Sequence, residues 1–140
     1  MSRIFWDSNL FIYLFEGKGA MYDRVAHLRE KMRTRGDQLL TSSLTLGEVL
    51  VKPIRINDPD LVQGFEAAIT RTALVVPFDV DAAMIFARLR AARNISAPDA
   101  IQLACAAAAG TDLFVTNDER LQKQQVEGIQ FIVPLDRSPV

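Results

Sequence analysis

Short, uninterrupted apolar runs alternate along the chain with longer segments whose apolar residues recur every three or four positions. The short runs have the length and composition of buried strands. They are RIFW (3–6), QLLTS (38–42), ALVVPF (73–78), DLFVT (112–116) and QFIVPL (130–135). The longer segments have the period of amphipathic helices. They predict helices over 8–16, 20–34, from 43 or 45 to about 52, from the NDPD turn (57–60) to about 69, over 81–93 and 97–109, and a short one near 118–124.

Strands that alternate with helices are typical of an α/β protein whose parallel sheet is covered on both faces. We therefore predict a mainly parallel central sheet of about five strands, flanked by helices on both faces. Glycines at 17, 36 and 110 are expected helix ends, and Pro53 is expected to break the third helix. With 140 residues and no repeat or linker, the chain predicts one domain, 1–140.

The composition argues against several classes of catalytic and metal site. The chain contains one cysteine, Cys105, and one histidine, His27. A disulfide framework, a Cys/His zinc site and a mechanism that uses two histidines all need more of these residues than the chain has. Any chemistry must therefore rely on carboxylates and hydroxyls.

Charge and hydropathy predict a cytoplasmic protein without membrane contact. Hydrophobic residues make up 49% of the chain and charged residues 24%, a balance typical of soluble domains. No apolar run approaches the roughly 20 residues that span a bilayer, and MSRIFWDSN lacks the apolar segment of a signal peptide. The net charge of −1 does not by itself indicate a nucleic-acid-binding protein.

Four acidic residues occur where strands end or the following helices begin. Asp7 directly follows the first strand, and Asp118 follows the fourth. Glu48 is expected in the first turn of the helix after the second strand, and Asp99 opens the Ala-rich helix. Because the carboxyl ends of parallel strands meet at one edge of the sheet, we expect these four acids to lie close together.

Each acid also has an ordinary structural explanation. Asp7 and Asp118 could be N-caps of the helices that follow them. Three pairs have the spacing of a capping box, in which a Ser or Thr precedes an acid by three residues: Thr45/Glu48, Ser96/Asp99 and Thr116/Glu119. Helix capping does not, however, predict that four acids should meet at one edge of a sheet.

Four carboxylates gathered at one edge need a cation. At an effective dielectric near 20, two carboxylates about 4 Å apart repel each other by roughly 4 kcal/mol. A divalent cation makes the arrangement favourable, and a donor set made only of oxygen favours Mg²⁺ or Mn²⁺ over zinc. Such ions bind phosphate oxygens, so the pattern points to phosphodiester hydrolysis.

Three segments resemble the sequence blocks of PIN-domain nucleases. WDSNLFIYLFEG (6–17) is similar to their opening Asp-Ser/Thr-Asn block, and TSSLTLGEVLVKP (41–53) to their second block. ISAPDAIQLACAAAAGTDLFVTNDERL (95–121) resembles the Pro-Asp-Ala and Thr-Asn-Asp blocks of the VapC-type toxins within that family. The resemblance covers nearly the whole chain, with the blocks in the family's order.

The resemblance implies a PIN fold and a Mg²⁺-dependent endoribonuclease, with Mn²⁺ able to substitute. The implied substrate is a structured RNA such as tRNA or rRNA. A homodimer and inhibition by a VapB-like antitoxin are implied as well.

Residue by residue, the resemblance assigns an acidic quartet that holds the ion directly or through water: Asp7, Glu48, Asp99 and Asp118. Thr116 would supply a hydroxyl to the site, and Glu48 would orient the attacking water. The implied supporting residues are Ser8, Asn9 and Asn117. Our candidates for contact with the RNA backbone are basic residues near these blocks: Lys52, Arg55, Arg90, Arg93 and Arg120.

Three other kinds of protein could account for an acid after the first strand. A haloacid-dehalogenase-like phosphatase would need a second acid two residues after Asp7, where the chain has Asn9. A receiver-type phosphoacceptor domain would need a lysine after a late strand, and FVTND has none. A PIN-fold binding module with weak or no nuclease activity is compatible with the same residues and remains the alternative.

Overall fold

The computed structural model describes residues 1–137. Five strands lie within this range: β1 (Arg3–Trp6), β2 (Gln38–Ser42), β3 (Leu74–Val76), β4 (Thr111–Val115) and β5 (Ile129–Val133). The same range contains seven α-helices: α1 (Ser8–Glu16), α2 (Ala20–Arg35), α3 (Ser43–Arg55), α4 (Pro59–Thr72), α5 (Val80–Ala92), α6 (Ala97–Ala109) and α7 (Glu119–Gln122). A 3₁₀ turn follows at Leu135–Arg137. The predicted parallel α/β sheet of five strands is confirmed.

The sheet has the strand order β3-β2-β1-β4-β5, and all neighbouring strands are parallel. From β1 at the centre, the chain first builds outward through β2 and β3, and later builds β4 and β5 on the other side. The order of the strands therefore reverses between β1 and β4. In open α/β sheets, ligands bind at the carboxyl ends of the strands near such a reversal.

Successive side chains of β1 point to opposite faces of the sheet and divide the core in two. Phe5 packs with the apolar residues of α5 and α6, and its ring stacks on Phe114 with a centroid distance of 5.0 Å. Ile4 and Trp6 pack on the other face with residues of α1, α2, α3 and α4. The prediction that helices cover both faces is confirmed.

Two predicted helix ends were wrong. Pro53 does not break the third helix. Proline has no N–H to donate to the preceding turn, but Ile56 N donates to Lys52 O (3.1 Å), so α3 continues to Arg55. Helix α4 runs to Thr72 rather than ending near 69. The hydroxyl of Thr72 bonds the carbonyl of Ala68 in the preceding turn (2.6 Å).

The fold fixes what lies at each edge of the sheet. The carboxyl ends of β1, β2 and β4 open onto the starts of α1, α3 and α7. At the opposite edge, buried Asp37 accepts a hydrogen bond from Ser2 N (2.7 Å) and pairs with Arg35 (3.2 Å). Within residues 1–137, no helix is both long and apolar enough to span a bilayer.

Candidate metal centre

Asp7 lies at the carboxyl end of β1, where the strand turns into α1. It is the N-cap of α1: Oδ1 accepts a hydrogen bond from Asn9 N (3.1 Å). Oδ2 accepts one from the hydroxyl of Thr116 (2.5 Å). The residue is only 7% exposed. Asp7 is therefore a helix cap and also a buried carboxylate in a fixed orientation.

Burial raises the pKa of the Asp7 carboxyl from 3.8 to about 6. Loss of hydration is the main cause, because it disfavours the charged form, and the negative charge of Asp118 adds to the rise. Hydrogen bonds from Thr116 and from the backbone of Leu10 and Asn9 act in the opposite direction and are outweighed. A nearby cation would offset the cost of keeping this carboxylate ionised.

Thr116 follows β4 and joins two of the acids. Its buried hydroxyl donates its one proton to Asp7 and accepts a hydrogen bond from Asp118 N (3.1 Å). The predicted contribution of this hydroxyl to the site is therefore made through Asp7, which it orients.

Asp118 is the N-cap of α7 and pairs with Arg120. Its Oδ1 accepts a hydrogen bond from Arg120 N (2.9 Å), and its Oδ2 lies 3.2 Å from the guanidinium. The hydrogen bond from the Arg120 side chain is the main cause that holds the pKa of Asp118 below its usual value. The two acids of β1 and β4 thus have pKa values shifted in opposite directions.

Glu48 projects from the exposed side of α3, in the second turn rather than the predicted first turn, because α3 already begins at Ser43. Ser42, not Thr45, caps this helix, since the Ser42 hydroxyl accepts from Thr45 N (3.3 Å). The Thr45/Glu48 capping box is therefore wrong. Glu48 Oε1 instead accepts a hydrogen bond from Ser8 Oγ, at 2.5 Å.

Asp99 lies in the first turn of α6. Ser96 caps this helix by accepting from Asp99 N (3.4 Å), as the capping-box spacing predicts. The carboxylate is half-buried. The amino terminus of a helix carries a partial positive charge, which favours an ionised acid at this position.

All four acids line one open cleft of about 110 Å³ at the carboxyl edge of the sheet. Ser8 and Asn9 line it as well. Within residues 1–137, no three acids, histidines or cysteines are yet close enough to hold a metal ion together. The donor set nevertheless fits a hard divalent cation, because every side-chain ligand it offers is an oxygen and Asp7 carries a buried charge.

The sequence model of the PIN domain matches residues 4–126, most of the chain and all four acids. The chain belongs to the PIN-domain family. Members of this family are nucleases, which hydrolyse phosphodiester bonds. No curated protein sequence shows a significant match.

Solved structures with the same fold include toxin–antitoxin complexes. A chain of DNA-bound VapBC from Salmonella typhimurium is 21% identical, with a TM-score of 0.71 over 96% of this chain and 99% of that one. A chain of VapBC2 from Rickettsia felis bound to a promoter fragment is 14% identical, with a TM-score of 0.70 over 94% and 98%. A chain of VapBC-5 from Mycobacterium tuberculosis is 17% identical, with a TM-score of 0.61 over 94% of this chain and 98% of that one. At these identities the similarity establishes the fold.

The predicted supporting residues of the PIN domain divide into two groups. Ser8 and Asn9 lie in the cleft and contact Glu48 and Asp7, respectively. Asn117 does not line the cleft. Its amide oxygen accepts a hydrogen bond from Leu135 N (3.3 Å), and its nitrogen contacts the sulfur of Met21 (3.6 Å). Asn117 therefore joins the end of β4 to the 3₁₀ turn and α2.

Among the described residues, none of the five basic candidates lines the cleft. Arg120 lies nearest, since Asp118 and Asp99 both raise its pKa. Arg90 donates to Ile95 O (2.8 Å) and Arg93 to Gln124 Oε1 (3.1 Å), so both guanidinium groups have partners within the fold. The remaining two are exposed residues of α3, Lys52 and Arg55.

Sequence reasoning missed Gln102, which lies one turn after Asp99 on α6 and lines the cleft. Its side chain bonds the hydroxyls of Ser42, Thr45 and Ser8. A signal was present in the sequence: Gln102 is the one polar residue in the run AIQLACAAAA, at a spacing that places it on the same helix face as Asp99.

Proposed function

We propose that this PIN domain is a Mg²⁺- or Mn²⁺-dependent endoribonuclease, the toxin of a VapBC-type toxin–antitoxin pair. One observation carries the proposal: four acids from separate elements, three at helix starts and Glu48 in the second turn of α3, line a single cleft at the carboxyl edge of the sheet, near the reversal of strand order. Burial and, to a smaller extent, the charge of Asp118 disfavour the ionised form of Asp7, so a cation in the cleft would stabilise the site. A divalent ion that also binds phosphate supplies the reason for the arrangement.

In this proposal Asp7, Asp99 and Asp118 hold the ion, and Glu48 acts through water. When bound, the ion supplies Lewis acidity that activates a water molecule and offsets charge on the phosphate. Asp7 is held in one orientation by Thr116 and by the start of α1. Glu48, held by Ser8, orients the water for attack on phosphorus.

Attack by water on phosphorus breaks the bond to the 3′-oxygen, which leaves as a hydroxyl. The products then carry 5′-phosphate and 3′-hydroxyl ends, and the 2′-hydroxyl of RNA does not act as the nucleophile. We place the five basic residues around the cleft as contacts for the RNA backbone, with Arg120 the best supported because it lies beside two of the acids.

The proposed partners are tRNA or rRNA as substrate, a VapB-like antitoxin, and a second copy of the chain in a homodimer. The structural neighbours support the antitoxin, since several of them were determined as VapBC complexes. The cytoplasm is the proposed location, as the sequence composition predicts.

The test is to express the protein in a bacterial host and to sequence the RNA ends that carry 5′-phosphates. We expect growth arrest and one dominant cleavage site, both absent with Asp7→Asn. Purified protein should cleave the same RNA with Mg²⁺ and not with EDTA. Binding of Mn²⁺ or RNA without cleavage would instead favour the binding module and overturn the nuclease proposal.

Replacing Thr116 with Val should lower the cleavage rate about 10- to 100-fold near neutral pH, the usual effect of removing a group that orients a metal ligand. The valine cannot donate to Asp7, so the pKa of Asp7 should rise above about 6 and active ionised protein should appear only at higher pH. Rates measured between pH 5 and 9 would show the shift. Thr116→Ser is the matched control and should restore the original profile; a profile unchanged in Thr116→Val would contradict this role.

A further inference from the structure

The side-chain amide of Gln102 connects three hydroxyls behind the acidic cleft. Nε2 donates to Thr45 Oγ1 (2.8 Å) and Ser8 Oγ (3.1 Å), and Oε1 accepts from Ser42 Oγ (2.5 Å). The residue is 4% exposed, and its buried neighbours on α6 are apolar. An unpaired buried amide would cost about 1–3 kcal/mol, and these three hydrogen bonds remove that cost.

The chemistry of the amide determines where the proton of Ser8 points. An amide nitrogen only donates and an amide oxygen only accepts. Ser8 Oγ therefore receives a proton from Gln102. Its own proton has two acceptors within reach, Thr45 Oγ1 at 3.4 Å and Glu48 Oε1 at 2.5 Å, and the much shorter contact with the carboxylate is the stronger bond. If the amide were turned over, Ser8 would have to donate to Gln102. The short contact with Glu48 would then join two oxygens with no proton between them.

Glu48 depends on this proton for its position. Its side chain is exposed, and among the described residues the hydrogen bond from Ser8 is the one that its carboxylate accepts. A long exposed side chain with no fixed partner samples several rotamers. The bond from Ser8 selects one that keeps the carboxylate at the cleft.

We propose that Gln102 is a positioning residue: its amide fixes the hydroxyl of Ser8 so that the Ser8 proton holds the carboxylate of Glu48 at the cleft. Gln102 touches neither phosphate nor ion in this proposal and acts through Ser8. Its consequence for cleavage rests on the proposed nuclease function, whereas its effect on Glu48 does not.

Two substitutions separate this role from packing. Gln102→Glu keeps the size and shape but replaces two N–H donors with at most one O–H, so residue 102 can no longer donate to Thr45 and Ser8 together. Gln102→Met keeps the volume and places no charge in the core. Each is made in the wild-type chain and in Ser8→Ala, which lacks the hydroxyl through which Gln102 is proposed to act.

The first measurement is the ¹³C signal of the Glu48 carboxyl carbon in protein freed of metal with EDTA. We expect both Gln102 variants to shift this signal toward the value seen in Ser8→Ala. They should cause no further change once Ser8 is alanine. A Glu48 signal that stays unchanged in the folded Gln102→Met variant would overturn the proposal.

The second measurement is the cleavage rate of four of these proteins: wild type, Gln102→Met, Ser8→Ala and the double variant of the last two. Gln102→Met should lower the rate about 10- to 100-fold in the wild-type chain and less than about twofold in Ser8→Ala, because contacts that act as one unit are not additive. Equal losses of cleavage rate in both backgrounds would overturn the proposal and show that Gln102 acts through packing. If wild-type protein cleaves no RNA, the proposed function fails, while the Glu48 signal still tests the role of Gln102.

Discussion

Asp7→Asn should abolish RNA cleavage and at the same time stabilise the metal-free protein above pH 6. The loss of activity should be on the order of 10³-fold or more, as for catalytic carboxylates of other hydrolases. The gain in stability follows from burial, which raises the pKa of Asp7 from 3.8 to about 6. Removal of a charge that the fold disfavours should therefore strengthen the fold.

The direction of the pH dependence follows from the raised pKa. The folded protein prefers neutral Asp7, so this contribution to stability is fully present below pH 3.8 and is lost as the pH rises through about 6. At about 1.4 kcal/mol for each pH unit, the cost to the metal-free wild type at pH 8 is roughly 3 kcal/mol. Asparagine carries no such cost at any pH.

Urea unfolding in EDTA at pH 4.5 and pH 8 measures this difference. Asp7→Asn should be the more stable protein by about 1 kcal/mol at pH 4.5 and by about 3 kcal/mol at pH 8. Adding Mn²⁺ at pH 8 should stabilise the wild type and leave the variant unchanged. A variant less stable than the wild type at pH 8 would contradict the conclusion that burial disfavours the charged form of Asp7.

Asp37→Asn is the matched control for Asp7→Asn. Asp37 is also a buried acid next to the sheet, but it lies at the opposite edge and is paired with Arg35 and Ser2 N. Removing its charge breaks an ion pair, so this variant should be less stable than the wild type at pH 8. Its cleavage rate should be unchanged at temperatures where it remains folded.

The second large effect is expected from Gly128→Ala, which should destabilise the protein by about 2–5 kcal/mol. Gly128 has φ = 98°, and a Cβ there would lie 2.6 Å from the carbonyl oxygen of Ala107. The left-handed backbone costs an alanine about 1–2 kcal/mol, and overpacking against fixed backbone adds about 1–3 kcal/mol. The strain falls directly before β5, which pairs with β4, the strand that Thr116 follows.

Gly110→Ala provides the comparison, because it has a similar backbone without the close contact. Gly110 has φ = 73°, and a Cβ there would meet nothing within 4 Å. We expect a loss of about 1–2 kcal/mol from the backbone alone. Thermal unfolding of the two variants measures the difference, and equal losses would show that the contact with Ala107 O relaxes freely.

Both interpretations of the acids that the sequence left open apply at the same residues. Asp7 and Asp118 cap the helices that follow them and also line the cleft. The N-cap position places a carboxylate at a helix start, and in this sheet helix starts meet at the edge where the strand order reverses. Capping is thus the way in which the fold positions these two acids.

The sequence by itself determined the strands and the helices. It also determined which strand or helix each of the four acids adjoins. These follow from local rules, since apolar runs, helical periodicity and turn residues act over a few neighbouring positions. Helices α3 and α4 end later than predicted, at Arg55 and Thr72. Hydrogen bonds to the preceding turn continue beyond both predicted ends.

Only the tertiary structure decided which polar side chains meet. Gln102 bonds Ser8, 94 positions away, and Thr116 bonds Asp7, 109 positions away. No local pattern records such pairs, because each forms only when the sheet places distant helix starts side by side. The same packing turned Asn117 away from the cleft, although it lies between two residues that serve the site. The orientation and burial of these side chains, which determine their proton positions and pKa values, are set only when the chain folds.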